Sequence, residues 1–385
     1  MFYLDRAATT PVRREVLEAM WPWLTGGFGN PSSSHGIGDQ AARGLADARA
    51  RVAAVLGCRP AEVVFTAGGT EGANTAVKGL VLAAPRGRHV VTSAIEHEAV
   101  LASCDHLARF HDVTVTVLPV DRDGLVTPAV LAAALRPDTT LVSIAHADNE
   151  IGTVQDVPAL AAVTHAVGAR FHTDAVQSAP WLPIGLDRLG VDALTFSGHK
   201  LGAPKGTGVL VLRAGVPMEP LVHGGGQERG RRSGTEDVAG AVAVATALTL
   251  SDAARETAAR TASATRDAVI AGVLARVPGA VLTGSPSARL PGHASFCFPA
   301  TAELPGVNGE TVLLELEQRD VVSSSGSACA AGSTEASHVL TALGLSEDVA
   351  RSAVRLTFDA GLTEADVPLV VDAVASAVGS VRALG

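Results

Sequence analysis

Only three of the 385 residues are lysine: Lys78, Lys200 and Lys205. Any amine chemistry must come from that short list. Cysteine is nearly as scarce. Cys58, Cys104, Cys297 and Cys329 contain no CxxC pair and no even spacing, which argues against a disulfide framework and a zinc site. Charged residues make up 18% against 47% hydrophobic, the balance of a compact globular chain rather than a disordered one. A net charge of −9 argues against binding phosphate backbones, so nucleic acid is not an expected partner. The first residues lack the apolar core of a secretory signal. The longest apolar-rich stretch, 239–250, is too short and too rich in threonine to span a bilayer. A soluble cytoplasmic protein is expected. Several nucleotide and metal signatures are also missing. No GxxxxGK[ST] run exists, His97-Glu98-Ala99-Val100-Leu101 lacks the second histidine of HExxH, and Gly206-Thr207-Gly208 has no third glycine in register.

What is present is an alternation. Short apolar runs at 62–66, 89–93, 113–118, 140–146, 170–173, 193–197 and 208–212 read as strands, several of them apolar throughout, as strands covered on both faces are. Helical stripes lie between them, such as Ala73, Ala76, Val77, Leu80 and Val81. This predicts an α/β unit with a largely parallel sheet. A loop rich in glycine and arginine at 224–234 leads into an alanine-rich helical stretch from about 236 to 276. Beyond it, strands are expected at 294–298 and 321–323, then helices.

Four segments bear chemistry. Ser197-Gly198-His199-Lys200 follows a buried strand, where α/β sheets place their ligands. A lysine there can serve as a Schiff-base amine, although a loop lysine is ordinarily a solvated one. Ala67-Gly68-Gly69-Thr70 bares backbone N–H groups at a helix start, a place for a phosphate, and equally a common structural turn. Asp174, at a strand end, can hold a pyridine nitrogen protonated or simply cap a helix. Asn149-Glu150-Ile151-Gly152 puts a polar amide on the same rim. Their order and shared strand-end placement favour a pyridoxal phosphate carried on Lys200.

With those residues in place, the chain resembles the cysteine desulfurases of the class V aminotransferase group, fold type I of the pyridoxal phosphate enzymes. Matching segments run from Tyr3-Leu4-Asp5 and Ala7-Ala8-Thr9-Thr10 through Gly29-Asn30-Pro31-Ser32-Ser33, Glu96-His97 and residues 172–177. They continue through 197–200, 224–229 and Ser233-Gly234-Thr235 to 324–329, nearly end to end. The resemblance implies a large α/β cofactor-binding domain at 13–255, and a smaller α+β domain made of 1–12 and 256–385 that carries the Cys329 loop. It implies that Lys200 forms the cofactor Schiff base and moves the α-proton, and that His97 stacks on the ring and serves in proton transfer. Gly69, Thr70, Ser197 and His199 would hold the phosphate, joined by Thr235 from the other subunit of a homodimer. Asp174 would pair with the pyridinium, Gln177 with the ring hydroxyl, and Asn149 would lie by the ring and the substrate carboxylate taken by Arg355. Cys329, in a loop of small residues at 323–332, would take sulfur from L-cysteine as a persulfide, release alanine and pass the sulfur to an acceptor.

Alternatives to that activity are a selenocysteine lyase or aminotransferase in which Cys329 is incidental, and a non-catalytic sulfur-carrier scaffold. Some positions depart from the usual pattern: Arg6, Gly72-Ala73, Gly202-Ala203 and Phe358-Asp359-Ala360-Gly361.

Overall fold

The computed structural model describes residues 1–83, 86–326 and 336–384. A two-residue strand, β1 (Phe2–Tyr3), opens the chain. The main sheet is built from β2 (Val63–Thr66), β3 (His89–Ser93), β4 (Thr114–Leu118), β5 (Thr139–Ser143), β6 (Arg170–Asp174), β7 (Ala193–Ser197) and β8 (Gly208–Leu212). Its order is β2-β8-β7-β6-β5-β3-β4, with β7, β6, β5, β3 and β4 parallel. Strands β3, β5, β7 and β8 are buried at every residue, so none has a solvent face; β8 carries no polar side chain, and the polar members of the others, such as His89 and Thr92, are buried with them. Strand β8 runs antiparallel to both neighbours. The reason lies in chain length: only residues 198–207 join β7 to β8, too few for a crossover helix.

The second half adds β9 (Val281–Leu282), β10 (His293–Cys297), β11 (Val321–Val322) and β12 (Val354–Thr357). Strand β10 pairs antiparallel with β9 and β12, while β11 takes β1 as a parallel partner. The N-terminal residues are thereby pinned to the C-terminal part, with Leu4 buried in the core formed by Val269, Phe296, Leu356 and Val374. Helices were expected after residue 323, but β12 is a strand. Val354-Arg355-Leu356-Thr357 is too short to show a period, and all four of its residues are buried.

The helix Val238–Arg276 spans both halves. Its first turns pack into the core beneath the main sheet and its last turns, at Val269 and Val273, into the second core. Asp237 caps it by accepting the Gly240 N–H at 2.8 Å. By length and composition it could cross a membrane, contrary to the expectation from its shorter apolar stretch, yet 72% of its most apolar window is buried within this protein.

Two arginines of the basic loop at 224–234 are engaged with the rest of the chain, while Arg229 is exposed. Arg232 pairs with Glu71 at 2.9 Å, and Arg231 donates to the Ala61 carbonyl at 2.8 Å. Glu228 receives both Nη atoms of Arg49 at 2.7 Å, and Arg49 also donates to the Val63 carbonyl. This buried bidentate pair ties loop, helix Gly36–Leu56 and strand β2 together. Removing one partner leaves an uncompensated buried charge. Arg49→Met is therefore expected to lower stability in urea unfolding by about 3–5 kcal/mol, and Arg49→Met with Glu228→Leu to recover much of it.

Candidate active site

Five strand ends, those of β2, β3, β5, β6 and β7, deliver loops to one rim of the main sheet, where a cavity of about 260 Å³ opens. Ten of the expected residues line it: Gly69, Thr70, His97, Asn149, Asp174, Gln177, Ser197, His199, Lys200 and Arg355. Thr235 does not line the cavity of its own chain and is exposed. Cys329 lies outside the described residues.

At one end of the cavity, Gly68 takes φ +146 and the helix Gly69–Ala83 starts at the rim, where the first N–H groups of a helix lack partners within it. A side chain at position 69 would strike Val176 at 2.7 Å, so glycine is required for the close approach. Ser197 and His199 close this end from β7 and the turn after it. His199 Nδ1 lies 3.1 Å from Thr9 Oγ1, and burial, helped by Lys200 and Lys205, lowers its pKa to about 4. At neutral pH it is uncharged.

Lys200 is half-buried. Its Nζ donates to the carbonyls of Ala7 and Ala8, the latter at 2.7 Å, so the N-terminal strap of the chain holds the amine. The same Ala7 carbonyl accepts the Gln177 amide at 3.0 Å. Asp174 ends β6 and is not a helix cap. Its Oδ1 closes a local turn by accepting the Val176 N–H at 2.8 Å, and burial pushes its pKa up. A cationic N–H beside it would reverse that shift. His97 caps the helix Glu98–His111, with Nδ1 accepting the Ala99 N–H at 3.0 Å. The neutral ring therefore carries its proton on Nε2.

Arg355 is 1% exposed. It donates to Asp5 at 2.7 Å and to the carbonyls of Asn149 and Gly326 at 2.8 and 2.9 Å. Its Nε is buried with no hydrogen-bond partner among the described residues.

Three buried carboxylates nearby carried no assigned role in the sequence reading. Glu96 accepts Ser93 Oγ at 2.6 Å and the Ala145 N–H, and burial pushes it up to about 8. Asp148 accepts the N–H groups of Glu150 and Ile151, its second oxygen has no partner among the described residues, and burial raises it to about 7. Glu150 is 4% exposed and shifted upward by burial. The available signal was position: each adjoins His97 or Asn149.

Four of the departing positions, Arg6, Gly202, Phe358 and Asp359, come together in space. Arg6 pairs with Asp359 at 3.0 Å, so two of them compensate each other. Together with Gly202 and Phe358 they line a second cavity that shares Ala7, Gln177 and Lys200 with the first.

The sequence profile of the class-V aminotransferases matches residues 2–370. This chain belongs to that family. Among curated relatives, cysteine desulfurase IscS of Dictyoglomus turgidum is 41% identical over 383 residues, covering 99% of this chain and 95% of that protein. Cysteine desulfurase IscS of Methanosarcina thermophila is 42% identical, covering 99% and 92%. Among solved structures, a NifS-like protein superposes with a TM-score of 0.89 at 34% identity over 98% of this chain and 99% of that one. A structure of SspA in complex with cysteine superposes with a TM-score of 0.80 at 36% identity over 93% and 99%. The fold is thus that of the fold-type I pyridoxal phosphate enzymes, and the cofactor is pyridoxal phosphate.

The residues present fit that group. Helix N–H donors, hydroxyls and a neutral imidazole suit a phosphate; a buried carboxylate with a raised pKa suits a pyridinium; the held amine of Lys200 suits an aldehyde.

Proposed function

We propose that this protein is a cysteine desulfurase that converts L-cysteine to L-alanine and holds the released sulfur on Cys329. One observation carries the reading: a single cavity brings the Lys200 amine, the buried Asp174 carboxylate, the His97 ring and the buried Arg355 guanidinium together. Relatives named cysteine desulfurase at 40–43% identity support the same conclusion.

Gly69, Thr70, Ser197 and His199 would hold the cofactor phosphate, Asp174 its ring nitrogen, Gln177 its hydroxyl and His97 its ring face, with Thr235 contributed by a second subunit. Bound there, pyridoxal phosphate supplies an electron sink for charge developing at the substrate Cα. Arg355 and Asn149 orient the substrate carboxylate, and the fixed guanidinium favours a single pose. Lys200, freed from its carbonyl partners, accepts the Cα proton. His97 exchanges protons through Nε2.

Sulfur transfer needs a thiolate. Burial pushes Cys58 up to about 11 and both Cys104 and Cys297 up to about 12, so each is protonated at neutral pH. Cys329 follows Gly326 by three residues, a span of at most about 11 Å from a carbonyl that Arg355 already holds. As its sulfur bonds to the substrate sulfur, the substrate carbon–sulfur bond breaks and the carbon skeleton leaves as alanine. A thiol or protein acceptor then takes the sulfur. A cytoplasmic homodimer divided near residue 255 into large and small domains completes the proposal.

Purified protein loaded with cofactor is expected to yield sulfide and alanine in equal amounts from L-cysteine and a reductant. Transamination of alanine with a 2-oxo acid and no sulfide release would overturn the reading.

A further inference from the structure

Both described flanks of the Cys329 segment converge on one acidic side chain. Ser337, at the distal flank, donates its hydroxyl to Glu150 Oε2. Gly326, at the proximal flank, lies against the same oxygen: a Cβ built there would sit 3.2 Å from it. Gly326 takes φ +104 and carries no side chain, which leaves that oxygen space to point between the flanks.

Glu150 is itself held from three directions. Its N–H donates to Asp148 Oδ1 at 2.8 Å, His293 Nε2 lies 3.0 Å from its carbonyl oxygen, and the preceding Asn149 carbonyl accepts Arg355 Nη1 at 2.8 Å. The same Nη1 reaches the Gly326 carbonyl at 2.9 Å, while the backbones of Ser324 and Arg355 are hydrogen-bonded to each other. The carboxylate therefore stands on a pedestal anchored to the cofactor cavity through Asn149 and Arg355. A buried acid with no direct role in the chemistry proposed above, held this firmly and spent on two loop ends, calls for a purpose.

We propose that Glu150 is a positioning residue: it tethers Ser337 and seats Gly326, and so fixes the two described flanks between which the Cys329 segment runs. This rests on the cysteine desulfurase reading. A bond made in the dry interior is worth more than one in water, and losing it leaves the partner hydroxyl unsatisfied. The consequence falls on the sulfur-transfer step, because a nucleophile misplaced by about 1 Å can lose about 10²-fold in rate. Cofactor retention and substrate binding use other groups.

The test is a double-mutant cycle on Glu150→Ala and Ser337→Ala. Two readouts are used: persulfide formation from L-cysteine, and the rate of iodoacetamide labelling at Cys329 in cofactor-free protein, followed by mass spectrometry. Each single variant is expected to slow persulfide formation about tenfold or more and to speed labelling at Cys329 several-fold. The double variant should be no worse than the worse single, as coupled partners behave. Cofactor content and the absorbance titration with cysteine should move less than about twofold. Glu150→Gln, which keeps an acceptor oxygen for Ser337, should restore most of the rate.

Additive losses, or labelling that does not change, would overturn the inference. So would equal loss of cofactor binding and sulfur transfer. If Glu150→Ala does not fold, unchanged labelling in Ser337→Ala alone overturns it. A wild-type protein that makes no persulfide sinks the parent reading instead, whereas normal wild-type turnover with normal variants sinks this one alone.

Discussion

Lys200→Ala protein is expected to emerge colourless, to lose pyridoxal phosphate on gel filtration, and to turn over cysteine on the order of 10³-fold more slowly or worse. The size of the effect follows from two jobs resting on one amine. In the proposed reaction Lys200 both anchors the cofactor and accepts the Cα proton, and proton transfer alone is typically worth about 10²–10⁴-fold. No other amine can substitute. Lys78 lies on the helix Gly69–Ala83 with its Nζ bonded to Asn74 at 2.8 Å, and Lys205 is exposed beyond the turn at Pro204. Lys200→Arg should fail as completely, since a guanidinium that stays protonated forms no Schiff base. Borohydride reduction of the wild type followed by peptide mapping should place the cofactor on Lys200. Retention of covalently bound cofactor by Lys200→Ala would defeat the assignment.

Cys329→Ala separates cofactor chemistry from sulfur chemistry. This variant is expected to stay yellow and to titrate with cysteine normally, yet to release sulfide on the order of 10³-fold more slowly. The magnitude comes from the remaining thiols. At pH 8 a thiol with a pKa of about 11 is ionised to roughly one part in a thousand, and one at about 12 to a tenth of that. Cys104 and Cys297 are also buried, at 2% and 0% exposure. The native wild type should therefore take up one equivalent of iodoacetamide per chain at pH 8, lost in Cys329→Ala. Full sulfide release by that variant would move the sulfur chemistry elsewhere.

Part of the fold was readable because strands covered on both faces draw on apolar and β-branched residues, with a few buried polar ones such as His89 and Thr195 among them. The expected strands at 89–93, 193–197 and 208–212 coincide with β3, β7 and β8. Others moved by a few residues at their ends, where fraying and capping leave no periodic mark. Strand β12 escaped notice. It is four residues long, one of them arginine, and what makes it a strand is its pairing with β10 about sixty positions earlier.

The candidate site divides in the same way. Lys200, Asp174 and the Gly69-Thr70 turn could be named from local pattern, since each sits where a strand ends and the next element begins, whereas His97 came only through the family resemblance. The state of those groups could not. Asp174, Glu96, Asp148 and Glu150 depart from ordinary carboxylates because of burial, and burial sums over neighbours scattered from residue 93 to residue 338. Nor does any motif announce that Arg6 answers Asp359, or that Arg355 bridges Asp5, Asn149 and Gly326.

The sequence by itself determined the list of chemically able groups: three lysines and four thiols, with Lys200 alone in a strand-end setting. Tertiary structure decided which of them share a cavity and which carboxylates lose their solvent. It also gathered the two flanks of the Cys329 segment at Glu150. The physical reason is that a side chain's chemistry is intrinsic, whereas desolvation and geometry belong to the set of atoms around it, and that set is assembled only when the chain folds.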